Sequence, residues 1–380
     1  MKLKSIAYSQ FEGEKGEWKV KEVTLGPTNL LVGKNASGKS RIISIIANLC
    51  NLLAGDLKPM FRSGNYDVTF EHGGKVLKYI LVYRDSQVVK EEFTFDGKKV
   101  MKRGRGGRGE ILFEKTNRFA EFQSPQNDLA VVARRDSVQH GYFEPLYEWG
   151  RAIRLFNFGS HMGREVLGVI AKDQEIDFNP KDTTAVIRIF RKGIKECGEK
   201  FKKAILEDMA AIDYPLKDIG VGPPTSIIVA GPFRGEVVCL FVKEKDLKGV
   251  TEQSDMSQGM FRTLSIIIQL NYSQMTGRPS CILIDDIGEG LDFDRSCALI
   301  ELLMRKVYGP PVQLIMSTND RFVMNKVPLE AWAIIRRKGG VVEVFNYANS
   351  KKIFDEFRFT GLNNFDFFAT NFLNEARMNA

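Results

Sequence analysis

The stretch Leu30-Leu31-Val32-Gly33-Lys34-Asn35-Ala36-Ser37-Gly38-Lys39-Ser40 decides the fold. Its last eight residues read G-x-x-x-x-G-K-S. A short apolar strand precedes them, and Ile42 to Leu53 follow as an apolar-rich helix that Gly55 ends. Glycines let a backbone wrap closely around an anion, and successive N–H groups at a helix start make a nest for phosphate. Lys39 is placed to reach the β- and γ-phosphates of ATP, and the Ser40 hydroxyl to ligate Mg²⁺. The expected nucleotide-binding residues are therefore Gly33, Lys34, Asn35, Ala36, Ser37, Gly38, Lys39 and Ser40.

A phosphate loop of this kind needs an acidic partner on another strand to hold the metal. Cys281-Ile282-Leu283-Ile284-Asp285-Asp286 supplies a buried apolar run ending in two carboxylates. Asp285 is expected to hold Mg²⁺, mostly through water, and Asp286 to polarise the attacking water. Upstream, Met256-Ser257-Gln258-Gly259-Met260-Phe261-Arg262 opens an apolar helix with an S-x-G-x-x-R pattern. Downstream come Gly290-Leu291-Asp292 and then Gln313-Leu314-Ile315-Met316-Ser317-Thr318-Asn319-Asp320, a strand running into a polar loop.

In this order and spacing the chain resembles the ABC-class P-loop ATPases of the SMC/RecF/OLD group, in the compact form without long coiled coils. Motif-level similarity covers roughly residues 1–55 and 250–340; the middle is matched only in pattern. The resemblance implies an α/β fold: an ABC-type ATPase head with a mixed P-loop sheet, an antiparallel β-lobe and a helical insertion. It makes Asp285 a Walker B residue, Gly290–Asp292 the D-loop and Asn319 the switch residue. Ser257 and Gly259 become the signature that binds the γ-phosphate of ATP held by a second subunit. A homodimer or higher homo-oligomer, closed head-to-tail around ATP, is the implied assembly. Stand-alone heads of this sort resemble ATPase subunits of bacterial anti-phage defence systems, in which a companion nuclease or toxin is the effector.

Two positions depart from the family pattern. Asp286 stands where a glutamate is usual, one methylene shorter, and Asn319 where a histidine is usual. Displacing a catalytic group by about 1 Å costs on the order of 100-fold in rate, so slow hydrolysis is expected. The Q-loop glutamine is Gln123, Gln126 or neither.

Outward from the motifs, residues 3–8 and 19–25 alternate as a strand pair around a turn at 14–17. Runs at 66–70, 76–83, 88–95 and 110–114 predict the β-lobe, with the basic Gly/Arg run at 102–109 as a loop or hairpin tip. Phe143 to Phe158 and Thr184 to Ala211 each predict a helix. Strands are expected at 226–230, 236–243, 281–284, 312–316 and 341–346, before an aromatic tail. The implied divisions are an N-terminal half over 1–159, a helical insertion over 160–225 and a C-terminal half over 226–380.

Composition bounds the rest. With 43% hydrophobic and 27% charged residues the chain reads as globular, and no stretch approaches the ~18 apolar residues of a membrane span. No secretory leader is apparent and the five cysteines form no Cys-x-x-Cys pair, so a cytoplasmic location is expected. Three scattered histidines argue against a zinc site or a His-based triad. The net charge of +8 permits nucleic-acid contact. Lys98, Lys99, Lys102, Arg103, Arg105 and Arg108 are either a phosphate-contacting run or a solvated face. Phe11 or Trp18 either stacks on adenine or packs in the lobe. The leading reading is a nucleotide-driven clamp or sensor that controls an effector. The alternatives are a RecF-like DNA-binding ATPase and a non-hydrolysing, ATP-dependent scaffold.

Overall fold

The computed structural model describes residues 1–170, 179, 181–228, 231, 235–276, 281–307, 312–370 and 372–373. The chain forms two compact units. The first comprises Met1–Ile153, Cys281–Leu283 and Pro311–Ala380, and the second Arg154–Ser280 and Ile284–Pro310.

The first unit opens with β1 (Lys2–Gln10), β2 (Trp18–Thr24), β3 (Thr28–Val32) and α1 (Lys39–Ala54). Then follow β4 (Ser63–His72), β5 (Lys75–Arg84), β6 (Gln87–Phe95), β7 (Lys98–Arg103), β8 (Arg108–Phe113), β9 (Arg118–Gln123), α2 (Ala130–Ala133) and α3 (Glu144–Ala152). The second unit carries β10 (Arg154–Asn157), β11 (Gly168–Ile170), α4 (Val186–Cys197), α5 (Glu199–Ala211), β12 (Leu216–Gly222), β13 (Glu236–Glu244), β14 (Thr251–Glu252) and α6 (Gln258–Met275). Strand β15 (Cys281–Asp285) starts in the first unit and ends in the second, which continues with α7 (Phe293–Val307). The first unit closes with β16 (Gln313–Ser317), α8 (Arg321–Lys326), β17 (Trp332–Lys338), β18 (Val341–Asn346), α9 (Tyr347–Arg358) and α10 (Asn364–Ala369).

β3 runs between β16 and β17 and parallel to both, with Leu30 opposite Met316 and Trp332. A parallel strand is covered on both faces, and so reads as an unbroken apolar run: Leu30, Leu31 and Val32 are all fully buried. From β17 the sheet continues through β18, β2 and β1 into β4–β9, which alternate antiparallel. In β5 the period is two, with Leu77, Tyr79, Leu81 and Tyr83 buried and Lys75 and Lys78 outside. Helix α1 packs on α3 at Gly150, where a Cβ would lie 2.8 Å from the Cys50 carbonyl oxygen.

The mixed sheet with its antiparallel lobe matches the sequence expectation, and several elements differ in detail. The basic run is strand up to Arg103, and only 104–107 form the hairpin tip. Lys99 and Lys102 pair with Glu92 and Glu110, both at 2.9 Å, and Lys98 donates to Asn117. The Phe143–Phe158 segment is helical only to Ala152, because Phe156 and Phe158 then bury with a period of two. The Thr184–Ala211 helix is broken at Gly198, whose φ of 60° and ψ of −147° suit glycine alone. Residues 226–228 are not strand, and 229–230 lie outside the described residues. In the tail, Phe367 is buried 4.8 Å by centroid from both Phe354 and Phe357, half-buried Phe372 lies 5.2 Å from Phe357, and Phe359 is exposed.

Arg103 is fully buried in the lobe and meets Glu91 at 2.7 Å. Glu91 also accepts from the Tyr79 hydroxyl and the Ala130 and Val131 amides, while Arg103 donates to the Pro125 and Asp128 carbonyls. This pair pins the loop that follows β9. Removing one partner strands the other charge in the core, so Arg103→Met should cost about 3–5 kcal/mol in urea unfolding. Lys102→Ala should stay within about 0.5 kcal/mol. Equal losses in the two variants would show that the buried pair does not hold the lobe.

Candidate functional site

The phosphate loop lies wholly in the first unit. Parallel strand β3 delivers Gly33 and helix α1 begins at Lys39. Only glycine fits at position 33, where a Cβ would stand 2.6 Å from the Ser37 hydroxyl and 2.7 Å from the Ile335 carbonyl oxygen. Ala36 and Gly38 have φ of 61° and 108°, left-handed values that turn successive N–H groups inward. Gly38 caps α1 without a side chain and no acid stands in the first turn. The helix therefore presents an N-terminus without a side-chain cap and the positive end of its dipole. The Ser37 hydroxyl is buried with no hydrogen-bond partner, as expected in a cradle shaped for a ligand.

Lys39 is 6% exposed. Its ammonium donates to the Gly33 carbonyl at 2.8 Å, the Lys34 carbonyl at 3.4 Å and the Asn319 amide oxygen at 2.8 Å. The structure thus brings together the phosphate-loop lysine and the switch candidate, which are 280 residues apart in sequence. Asn319 leaves the end of β16 just before Asp320, whose carboxylate caps α8 by accepting from the Phe322 amide. Ser40, Lys34, Asn35 and Ala36 are exposed.

Trp18 lies under the loop, 3.3 Å from where a Gly38 Cβ would be, and is 2% exposed. The Arg41 guanidinium covers its ring at 3.8 Å. The indole face is occupied, which removes Trp18 as a stacking platform for adenine. A cavity of 660 Å³ opens beside Lys34–Ser37, bounded by Arg336 and Arg337 of β17 and by Phe367 and Phe368 of α10. That volume is in the range of small-molecule sites. Arg337 also donates to the Ala36 carbonyl at 3.4 Å.

The second unit carries the remaining candidates. Ser257 is the exposed N-cap of α6 and accepts from the Met260 amide at 3.2 Å. Gly259 packs against the D-loop candidate so closely that a Cβ would come within 2.5 Å of the Gly290 carbonyl oxygen. Arg262, 4% exposed, locks the two together. It donates to the Glu289 carbonyl at 3.0 Å, the Ser160 carbonyl at 2.8 Å and the Gln258 side chain at 3.1 Å. Sequence reading quoted Arg262 within the motif without giving it this part, and nothing local signals that an arginine will span two loops. Asp285 ends β15 and Asp286 follows it, both half-buried, and Asp286 has a φ of 54°. Aspartate enters that region more readily than most side chains, at a cost commonly found at functional sites. Of the Q-loop candidates, Gln123 donates back to the Gly106 carbonyl, while Gln126 joins the pinned loop through its carbonyl, which accepts from Val88.

Known proteins resemble the chain in fold. An SMC head in complex with the C-terminal winged-helix domain of ScpA superposes with a TM-score of 0.52 at 14% identity, covering 91% of this chain and 97% of that one. The SMC head of Thermotoga maritima gives 0.47 at 14% identity over 91% and 99%. A Pyrococcus furiosus SMC head bound to a ScpA C-terminal domain gives 0.49 at 14% identity over 94% and 99%. At this identity the first likeness shows a shared fold. No curated protein matches in sequence. The family model described as "AAA domain, putative AbiEii toxin, Type IV TA system" matches residues 28–325, from the strand before the phosphate loop to beyond Asn319. With most of its length inside that match, the chain belongs to this AAA-domain family, on an SMC-head-like P-loop ATPase fold.

Proposed function

We propose that this chain, an ATPase of the AAA and SMC-head type, is a nucleotide-driven clamp that closes head-to-tail on a second copy and controls a separate effector. The observation that carries the reading is the Lys39 ammonium, held 2.8 Å from Asn319 beside the uncapped start of α1 and the unpartnered Ser37 hydroxyl. These groups suit a polyphosphate: a helix start without a side-chain cap, a fixed cation and a hydroxyl with no partner lie on one loop.

When phosphate enters, Lys39 exchanges the Asn319 oxygen for β- and γ-phosphate oxygens. Asn319 is then free to donate its amide to the γ-phosphate. Asp286, by its place after the apolar strand in the sequence pattern, is the group that orients the attacking water by accepting its proton in a hydrogen bond. A Mg²⁺ ion held by the Ser40 hydroxyl and, through water, by Asp285 would neutralise developing charge on the phosphates; both are the hard oxygen donors that this ion takes. With aspartate and asparagine in place of the longer or chargeable groups, turnover is slow and the bound state is the signal. Exposed Ser257 and buried Gly259, at the start of α6, serve the nucleotide of the other copy. The toxin–antitoxin description of the family supports an effector in a defence setting. The lobe's basic run gives less support to a DNA-binding role, because four of its six cations already have partners.

Lys39→Ala should weaken binding of a fluorescent ATP analogue by roughly 10- to 100-fold, the worth of a charge-assisted hydrogen bond. Asp286→Ala should keep that affinity, lower turnover by on the order of 100-fold and prolong closure. Ser257→Arg should bind ATP normally yet fail to close by light scattering. Normal closure of Ser257→Arg would remove the signature from the mechanism while leaving the phosphate loop intact.

A further inference from the structure

A groove of 410 Å³ lies in the second unit, between α4, the start of α5 and β12, which ends the small sheet. Its walls are mainly aliphatic. Ile170, Ile194 and Val221 are half-buried, while Ile219 and the ring of Phe190 are buried. Arg191, Lys195 and Lys202 stand at the same groove with one acid, Glu199. Glu199 lies in the first turn of α5, where the helix dipole favours a carboxylate. Lys202 meets the Asp218 carboxylate at 2.5 Å and Lys243 meets it at 3.4 Å, so one acid serves two cations. Glu196 accepts from the Tyr272 hydroxyl at 2.9 Å.

The positive charge continues past the groove. On α4, Arg188, Arg191, Lys192 and Lys195 recur three to four residues apart. That spacing sets them in one stripe, about 10 Å long at 1.5 Å per residue. Lys200 and Lys203 are exposed on α5. Residues 188–203 thus hold seven cations against two acids, Glu196 and Glu199, a one-sign field that attracts a partner with several negative charges.

We propose that this face docks an acidic segment of a protein partner, which seats a large apolar side chain in the groove and lays carboxylates along the α4 stripe. The cations call for the partner's acids, and the aliphatic walls separate it from nucleic acid. A duplex is held through its phosphates and needs no aliphatic cavity. Single strands stack on exposed rings, whereas the Phe190 ring is 4% exposed. A small carboxylate would engage one or two cations; a stripe that outruns the groove suits a chain with several acids. The inference does not rest on the clamp reading, because the groove lies wholly within the second unit and holds none of the nucleotide motifs.

The test selects a phage-displayed library of random 12-residue peptides on the full-length chain without nucleotide, then measures the enriched peptides by fluorescence anisotropy. The expected winners carry Asp or Glu around a Leu, Ile, Met or Phe. Their affinity should fall at least about 10-fold in Arg191→Glu/Lys195→Glu, where attraction at the rim becomes repulsion. Ile194→Glu, which puts a charge in the groove, should lower it by a similar factor. The same charge reversal on the exposed lobe, Lys115→Glu/Arg118→Glu, should leave it unchanged. The rim variant should keep its urea midpoint even where Ile194→Glu lowers it. Enrichment of neutral or basic peptides, no enrichment over a blank surface, or acidic peptides that bind every variant alike overturns the inference. So does a 12-nucleotide DNA strand that binds more tightly than the best peptide and is lost in the rim variant.

Discussion

A buried ammonium group organises the first unit around its phosphate loop. Lys39 sits at a nearly sealed position, where main-chain carbonyls of its own loop and the Asn319 side chain accept hydrogen bonds from its ammonium group. Burying an unpaired charge is prohibitively costly, so the loop must curl back until Gly33 and Lys34 reach the ammonium. That curl is possible only with glycine at position 33 and a left-handed backbone at Ala36 and Gly38. The strand order follows the same demand. β3 sits between β16 and β17, so that Asn319 emerges from one neighbour and Arg337 from the other.

The second unit repeats this logic with an arginine. Arg262 joins the first turn of α6 to the Gly288–Leu291 turn through main-chain acceptors, and Gly259 and Gly290 permit the close approach. A guanidinium with several donors in a fixed plane suits the task, since it bonds in several directions while moving little. Deeper in the unit, Asp208, Asn271 and Lys306 connect α5, α6 and α7 through contacts of 2.6 to 2.9 Å. Helices α5 and α7 are thereby braced against the C-terminal part of α6.

How much of this was legible in the sequence depended on whether each feature was local. The phosphate loop, the Asp285–Asp286 pair and the serine cap of α6 are contiguous residues whose types follow from their chemistry, and each was readable with its element. The break at Gly198 was not, because Phe190, Ile194, Phe201 and Ile205 keep a helical period through it. Strand β17 escaped notice since its run Trp332-Ala333-Ile334-Ile335 ends in three cations that lie at its exposed end. Arg103 looked like one more charge in a basic run, and only the fold shows Glu91 waiting for it across the hairpin. Tyr214 and Arg295 belonged to the least readable region and to the start of a plain helix. The Arg295 guanidinium lies over the Tyr214 ring, a long-range contact that no local pattern encodes.

The central claim is that nucleotide changes how two copies associate. The most direct measurement is light scattering of the wild-type chain without nucleotide, with Mg²⁺–ATP, and again after the ATP has been consumed. The account predicts a doubled mass, or a smaller radius within an existing oligomer, that appears with ATP and fades as it is hydrolysed. Unchanged mass and radius under conditions where ATP is demonstrably bound would contradict it.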